Sequence, residues 1–162
     1  MAALATIGVY GFDRDSFLAA LATARVDLLL DVRQRRGVRG SEYAWANAAR
    51  LQAALAAAGV AYTHLKELAP TTAMREVQYR EDDHRGEGKR SRTILAPEYR
   101  RLYIEQILDQ ADLAPIVRWI GSNKAALLCV ERDAAACHRS LIAARLRDDY
   151  GFEVEHLHPG SG

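Results

Sequence analysis

The sequence predicts an α/β fold: a Rossmann-like three-layer sandwich with a mostly parallel sheet of about five strands. Two observations carry that reading. Short apolar runs rich in β-formers alternate with longer Ala-, Leu- and Arg-rich segments. The run DLLLDV, residues 27–32, has a continuously apolar centre, as suits a strand buried on both faces. A chain of 162 residues, 49% hydrophobic, suits one α/β domain over 1–162 with a sizeable core.

Each element follows in order. ALATIGVY, residues 3–10, reads as the first strand. Asp13 or Asp15 can cap the helix DSFLAALATARV. DLLLDV is the second strand. Asn47 can cap NAARLQAALAAAGV, which closes at Gly59. VAYTHL is the third strand. Residues 97–122 hold one helix broken at Pro115, or two. KAALLCV is the fourth strand. Asp133 can cap AAACHRSLIAARLRDDYG, closed by Gly151, and FEVEHLH is the fifth strand. The tail from Pro159 to Gly162 reads as frayed.

The segment from about 66 to 92 breaks this rhythm. It is long, polar and dense in both charges, so it is either a lid over a site or a solvated insertion. Thr71 or Thr72 can cap a short helix within it. The net charge of +1 gives no global basic field for nucleic acid. Two cysteines make no disulfide framework, so a cytoplasmic, reducing setting is expected. The N-terminus does not read as a signal peptide, and no apolar run is long enough for a membrane span, so no membrane partner is expected.

Strand parity locates the chemistry. Alternate side chains share a face. Thr6, Gly8 and Tyr10 therefore share one, as do Asp31 with Arg33, Tyr62 with His64, and Cys129 with Glu131. Each set sits at the carboxyl end of its strand, the edge where open α/β sheets bind ligands. After the fourth strand, Asp133 would start a helix with Cys137, His138 and Arg139 in its first two turns. A helix start offers unpaired N–H groups and partial positive charge, to which Arg132 and Arg139 would add. That field favours a thiolate at Cys137, and His138 is an acid or base near neutral pH. Against this, Cys137 shares a helical face with Leu141 and Ala144 and can be a small core residue.

A second basic cluster follows the second strand: Arg33, Arg35, Arg36 and Arg39, with Tyr43 and Trp45 close behind. Guanidinium forks suit phosphate, and interleaved aromatics can stack on a base. A zinc site built from Cys129, Cys137, His138, His64, His156 or His158 is set aside, because no CxxC or HExxH spacing is present. The residues name no cofactor, and no dinucleotide fingerprint or phosphate-binding GxxxxGK[ST] loop occurs.

TIGVYG, DLLLDVR, AGVAYTHLKEL and, most specifically, LLCVERDAAACHRSLIA resemble motifs of a bacterial and archaeal family, domain of unknown function 488. That resemblance covers most of the chain. It implies an α/β fold and points to Asp31, Arg33, Glu131, Cys137, His138 and Arg139. The run QRRGVRG after Arg33 and the LAP at Leu68–Pro70 depart from the family pattern. The leading expectation is an enzyme or binding protein for a phosphate-bearing or nucleotide-like ligand. Its catalytic candidates are Cys137, His138 and Glu131; its ligand-binding candidates are Asp31, Arg33, Arg39, His64, Arg132 and Arg139. A nucleic-acid-binding module using the arginine loop and a non-catalytic interaction domain are the alternatives.

Overall fold

Strands β1 (Ala3–Gly8), β2 (Leu28–Asp31), β3 (Ala61–His64), β4 (Ala125–Cys129) and β5 (Glu153–Leu157) form one sheet in which every pairing is parallel. Their order is β3-β2-β4-β1-β5. The computed structural model describes residues 3–88 and 91–160. The expected fraying therefore falls partly outside the described residues, at 161 and 162, as do positions 89 and 90 of the charged segment. Helices α1 (Arg14–Thr23), α2 (Ala48–Ala57), α3 (Thr72–Arg85), α4 (Pro97–Tyr103), α5 (Ala114–Ser122) and α6 (Arg139–Tyr150) flank the sheet, giving the expected Rossmann-like α/β layering.

All residues of β2 and β4 are buried, which explains why both read as continuous apolar runs. β3 and β5 form the edges and keep partly exposed positions. Of the two possible caps for α1, Asp13 is used. Its carboxylate accepts from Ser16 N at 2.8 Å, and Ser16 Oγ accepts from Asp13 N at 3.0 Å. Thr71 rather than Thr72 caps α3, accepting from Met74 N. The segment 97–122 is two helices: α4 runs on through a π-helical turn at Ile104–Leu108, and α5 begins afresh with Pro115 in its first turn.

Two expected caps are spent differently. Asn47 stands at the start of α2, but its Oδ1 accepts from Val38 N at 2.7 Å and so pins the arginine loop. Asp133 forms no side-chain cap; Ala134–Ala136 make a single 3-10 turn. Cys137 is extended (φ −139°, ψ 146°), and α6 begins only at Arg139. The extended residue breaks the helix that the sequence pattern suggested, and Cys137 and His138 stand before its first turn.

The strand order sets where a site can form. The chain leaves β1 toward β2, passing β4, and leaves β4 toward β5, passing β1. Neighbouring strands that depart in opposite directions open a crevice at their carboxyl ends. Gly8 and Cys129 are the register partners there. Val9 N and Tyr10 N both donate to the Val130 carbonyl at 3.0 Å, drawing the two chains together. A Cβ on Gly8 would run into the backbone carbonyl of Glu131. Gly8→Ala is therefore expected to destabilise the protein by about 3 kcal/mol or more. Gly121→Ala, in open space on α5, should instead stabilise by up to about 1 kcal/mol. Urea unfolding midpoints of the two variants check both signs.

Candidate functional site at the carboxyl edge of the sheet

Asp31 and Arg33 form a fully buried, two-pronged pair. Arg33 Nε donates to Asp31 Oδ1 at 2.9 Å and Nη2 to Oδ2 at 2.8 Å, while Nη1 donates to the Ala46 carbonyl at 2.9 Å. Tyr62 Oη donates to Asp31 Oδ2 at 2.5 Å, and the His64 ring bonds through Nε2 to the Arg33 carbonyl at 2.9 Å. The parity of β2 and β3 thus brings all four residues together. Burial pulls the Arg33 guanidinium down, but the hydrogen bonds and charge of Asp31 outweigh it and raise the group above its ordinary value. Burial raises the Tyr62 phenol.

Arg139 is buried as completely. Its Nη1 donates to the Glu131 carbonyl at 2.7 Å, Nη2 to the Arg132 carbonyl at 3.2 Å, and Nε to Thr6 Oγ1 at 3.3 Å. The missing side chain at Gly8 leaves room for this guanidinium, whose Nη1 lies 3.1 Å from where a Cβ would stand. Arg33 and Arg139 were both expected to hold an anion. Their polar groups instead clamp the backbone that carries the site.

Between these clamps lies a cluster of ionisable groups. His138 Nε2 is 2.7 Å from the Val32 carbonyl, and since a carbonyl only accepts, that nitrogen carries the proton. The other ring nitrogen, Nδ1, faces two sulfurs: Cys129 Sγ at 3.6 Å and Cys137 Sγ at 3.7 Å. Cys129 Sγ lies 3.4 Å from Glu131 Oε2. Arg92 bridges Glu131 Oε1 at 2.6 Å and Asp82 Oδ2 at 2.5 Å, and its Nε donates to the Ala136 carbonyl. Gln78 supports Asp82 with a 2.8 Å bond. Tyr103 lies against the His138 ring, and its hydroxyl donates to the Leu68 carbonyl.

The electrostatics of the cluster are uneven. Burial pushes the Cys137 thiol up, but the hydrogen bond from Cys129 and the charges of His138 and Arg139 bring it down to about 5. Burial pushes Cys129 well above the usual thiol range, and the neighbouring Cys137 sulfur adds to the effect. Burial lowers His138, but the charge and hydrogen bond of Cys137 overcome it and leave the imidazole raised. Burial, with the Cys137 charge second, raises Tyr99 and Tyr103 well above the phenol range.

A cleft of about 750 Å³ is lined by Tyr10, Arg35, Arg39, Thr72, Arg75 and Tyr79 among others. Arg35, Arg75 and Tyr79 also line a recess of about 40 Å³ that reaches Cys129, Glu131 and His138. Cys137 lines neither space. Arg75 donates to Gln34 Oε1 and Tyr79 Oη, both at 2.7 Å, and stacks over the Tyr79 ring. Arg35 makes no hydrogen bond or ion pair among the described residues.

The expected residues therefore divide. Cys137, His138 and Glu131 meet. Arg39 lines the cleft, while Asp31, Arg33, His64 and Arg139 are buried or half-buried supports. Arg132 is exposed and lines neither the cleft nor the recess. Sequence reasoning set Cys129 on the face of Glu131 and weighed it as a zinc ligand but left it out of the catalytic candidates, and it singled out none of Arg92, Asp82 and Arg75. Arg92 and Glu131 are 39 positions apart, and nothing local in the sequence marks the pair. Arg92→Ala would remove the cation that bridges two buried carboxylates and is expected to cost about 3–5 kcal/mol. Arg101→Ala, whose partners Glu98 and Glu105 are exposed, should change stability by less than about 1 kcal/mol. Denaturant titrations of the two variants compare them directly.

These features define an α/β protein with a buried thiol, imidazole and carboxylate cluster at the switch point of a parallel sheet. The chain belongs to the family described as Domain of unknown function DUF488, whose model matches residues 13–146. No curated protein and no solved structure matches the chain. Among the described residues, no helix is long and apolar enough to cross a membrane.

Proposed function

We propose that this protein binds a phosphate-bearing, nucleotide-like small molecule in the cleft at the carboxyl edge of its sheet, and that Cys129, Glu131 and His138 at the inner end of that cleft act on it. One observation carries the reading: Arg35, Arg39 and Arg75 line a cleft of about 750 Å³, and Arg35 and Arg75 also line the adjoining small recess that holds those three residues. The volume falls within the range of small-molecule sites. Guanidinium groups suit phosphate oxygens, and Tyr10 and Tyr79 add aromatic surface to the lining. His138 and Glu131 supply groups able to exchange protons at the inner end. Cys137, buried and absent from the lining, contacts the His138 ring with its sulfur at 3.7 Å.

Calorimetric titration with pyrophosphate, AMP and ATP at low salt tests the proposal. At least one should bind, and Arg35→Ala and Arg75→Ala should each weaken it about tenfold, as loss of a charge-assisted hydrogen bond does. Arg14→Ala, on an exposed turn of α1, should leave affinity unchanged. No binding by any of the three ligands would overturn the reading. If only a single-stranded oligonucleotide binds, and binding weakens steeply with salt, the arginine loop serves nucleic acid instead.

A further inference from the structure

Cys129, Cys137 and His138 are all buried, and their ligand atoms lie within 4.8 Å of one another. Nothing in the binding of a phosphate ester requires two sulfurs and a ring nitrogen to converge in this way. The separations have the scale of a coordination polyhedron. Zinc bonds of about 2.3 Å to sulfur and 2.0–2.1 Å to nitrogen place S and N about 3.5 Å apart at the corners of a tetrahedron. The two observed S···N separations are 3.6 and 3.7 Å.

The surroundings fit the same requirement. A histidine that ligates a metal commonly donates its other ring N–H to a carbonyl, which fixes the tautomer. Here Nε2 donates to the Val32 carbonyl, so Nδ1 is the nitrogen left to face the sulfurs. Charge also balances. Two thiolates, Glu131 and Asp82 carry four negative charges; a divalent ion, Arg92 and Arg139 carry four positive ones. Arg92 contacts both carboxylates directly, and Arg139 Nη1 bonds the Glu131 carbonyl.

Three corners are thereby accounted for, and the position of the fourth follows from access. Cys129, Glu131 and His138 border the recess of about 40 Å³, which is large enough for a water molecule, while Cys137 is buried and does not line it. Glu131 Oε1 is held by Arg92, while Oε2 stands 3.4 Å from Cys129 Sγ beside that recess.

We propose that Cys129, Cys137 and His138 bind one thiophilic divalent cation of the zinc class, with a fourth coordination position open to the recess beside Glu131. Three protein ligands and one open position are the pattern of catalytic rather than structural zinc. The search for CxxC or HExxH spacing misses such a site. Its ligands come as C-x7-C-H, split between the end of β4 and the turn before α6. With the cation bound, Cys129 and His138 hold it and Glu131 is the group left to exchange protons; ligand binding through Arg35 and Arg75 is read out separately from cation binding, so each proposal can fail without the other.

The test is a cobalt titration of the full-length, chemically reduced protein after chelator treatment. One equivalent of Co²⁺ should produce a thiolate-to-cobalt charge-transfer band and visible bands of tetrahedral intensity, and Zn²⁺ should abolish both. Cys129→Ser should weaken zinc affinity by at least about 100-fold, since even outer partners of a ligand contribute 10–100-fold. Glu131→Gln should retain the cobalt bands. X-ray absorption at the zinc edge of the loaded native protein needs no variant, and should give two sulfur scatterers at about 2.3 Å with lighter atoms at about 2.0–2.1 Å. Absence of the charge-transfer band in the reduced native protein, or a zinc shell without sulfur, would overturn the site. Loss of the bands in a folded Glu131→Gln variant would overturn the open position.

Discussion

Among the described residues, three guanidinium groups are buried at one edge of the sheet, and the geometry of that edge depends on each being matched. Arg33 is matched by Asp31, Arg92 by Glu131 and Asp82, and Arg139 by two backbone carbonyls and a hydroxyl. An unmatched charge in such surroundings costs several kcal/mol, so each arginine fixes its partners as firmly as they fix it. A planar fork of five donors can hold more than one chain segment at once in fixed directions, which a lysine's three rotatable donors do not set. Arg92 ties α3 to the end of β4, and Arg33 ties β2 to the turn at Ala46. The thiols and imidazole are held in the space between.

The two sides of this edge differ in character. Toward the interior, carbonyls and carboxylates are paired within the protein. Toward the cleft, Arg35 projects from the loop after β2 and Arg75 from α3, with tyrosine rings close by. Inner arginines build the wall and outer ones face what enters. An arginine-rich chain can use one residue type for both purposes because burial, not chemistry, separates the roles.

Period-two alternation made the strands and their polar ends legible in the sequence, because a strand places its side chains by arithmetic. Asp31 shares a face with Arg33, and Tyr62 with His64, as that arithmetic requires; that the two pairs meet depends on the pairing of β2 with β3. The connection after β4 was not legible. An aspartate followed by three alanines is a good helix start, yet Cys137 takes an extended conformation so that its sulfur and the His138 ring reach the sheet. Tertiary contacts there override local preference. The partnership of Arg92 with Glu131 was equally hidden, since a charged segment reads the same whether its arginine is solvated or buried. Strand order, which decides whether any of these ends converge, leaves no local trace at all.

The strand order also bears on how the chain reaches its native state. β1 is the first strand to be synthesised, yet both its neighbours, β4 and β5, are among the last. Only β2 and β3 are adjacent in space and consecutive along the chain. During synthesis β1, an interior strand, must wait with both hydrogen-bonding edges open until the final third of the polypeptide emerges. Such distant pairing makes assembly slow and late, and it leaves the nascent chain exposed to wrong partners meanwhile.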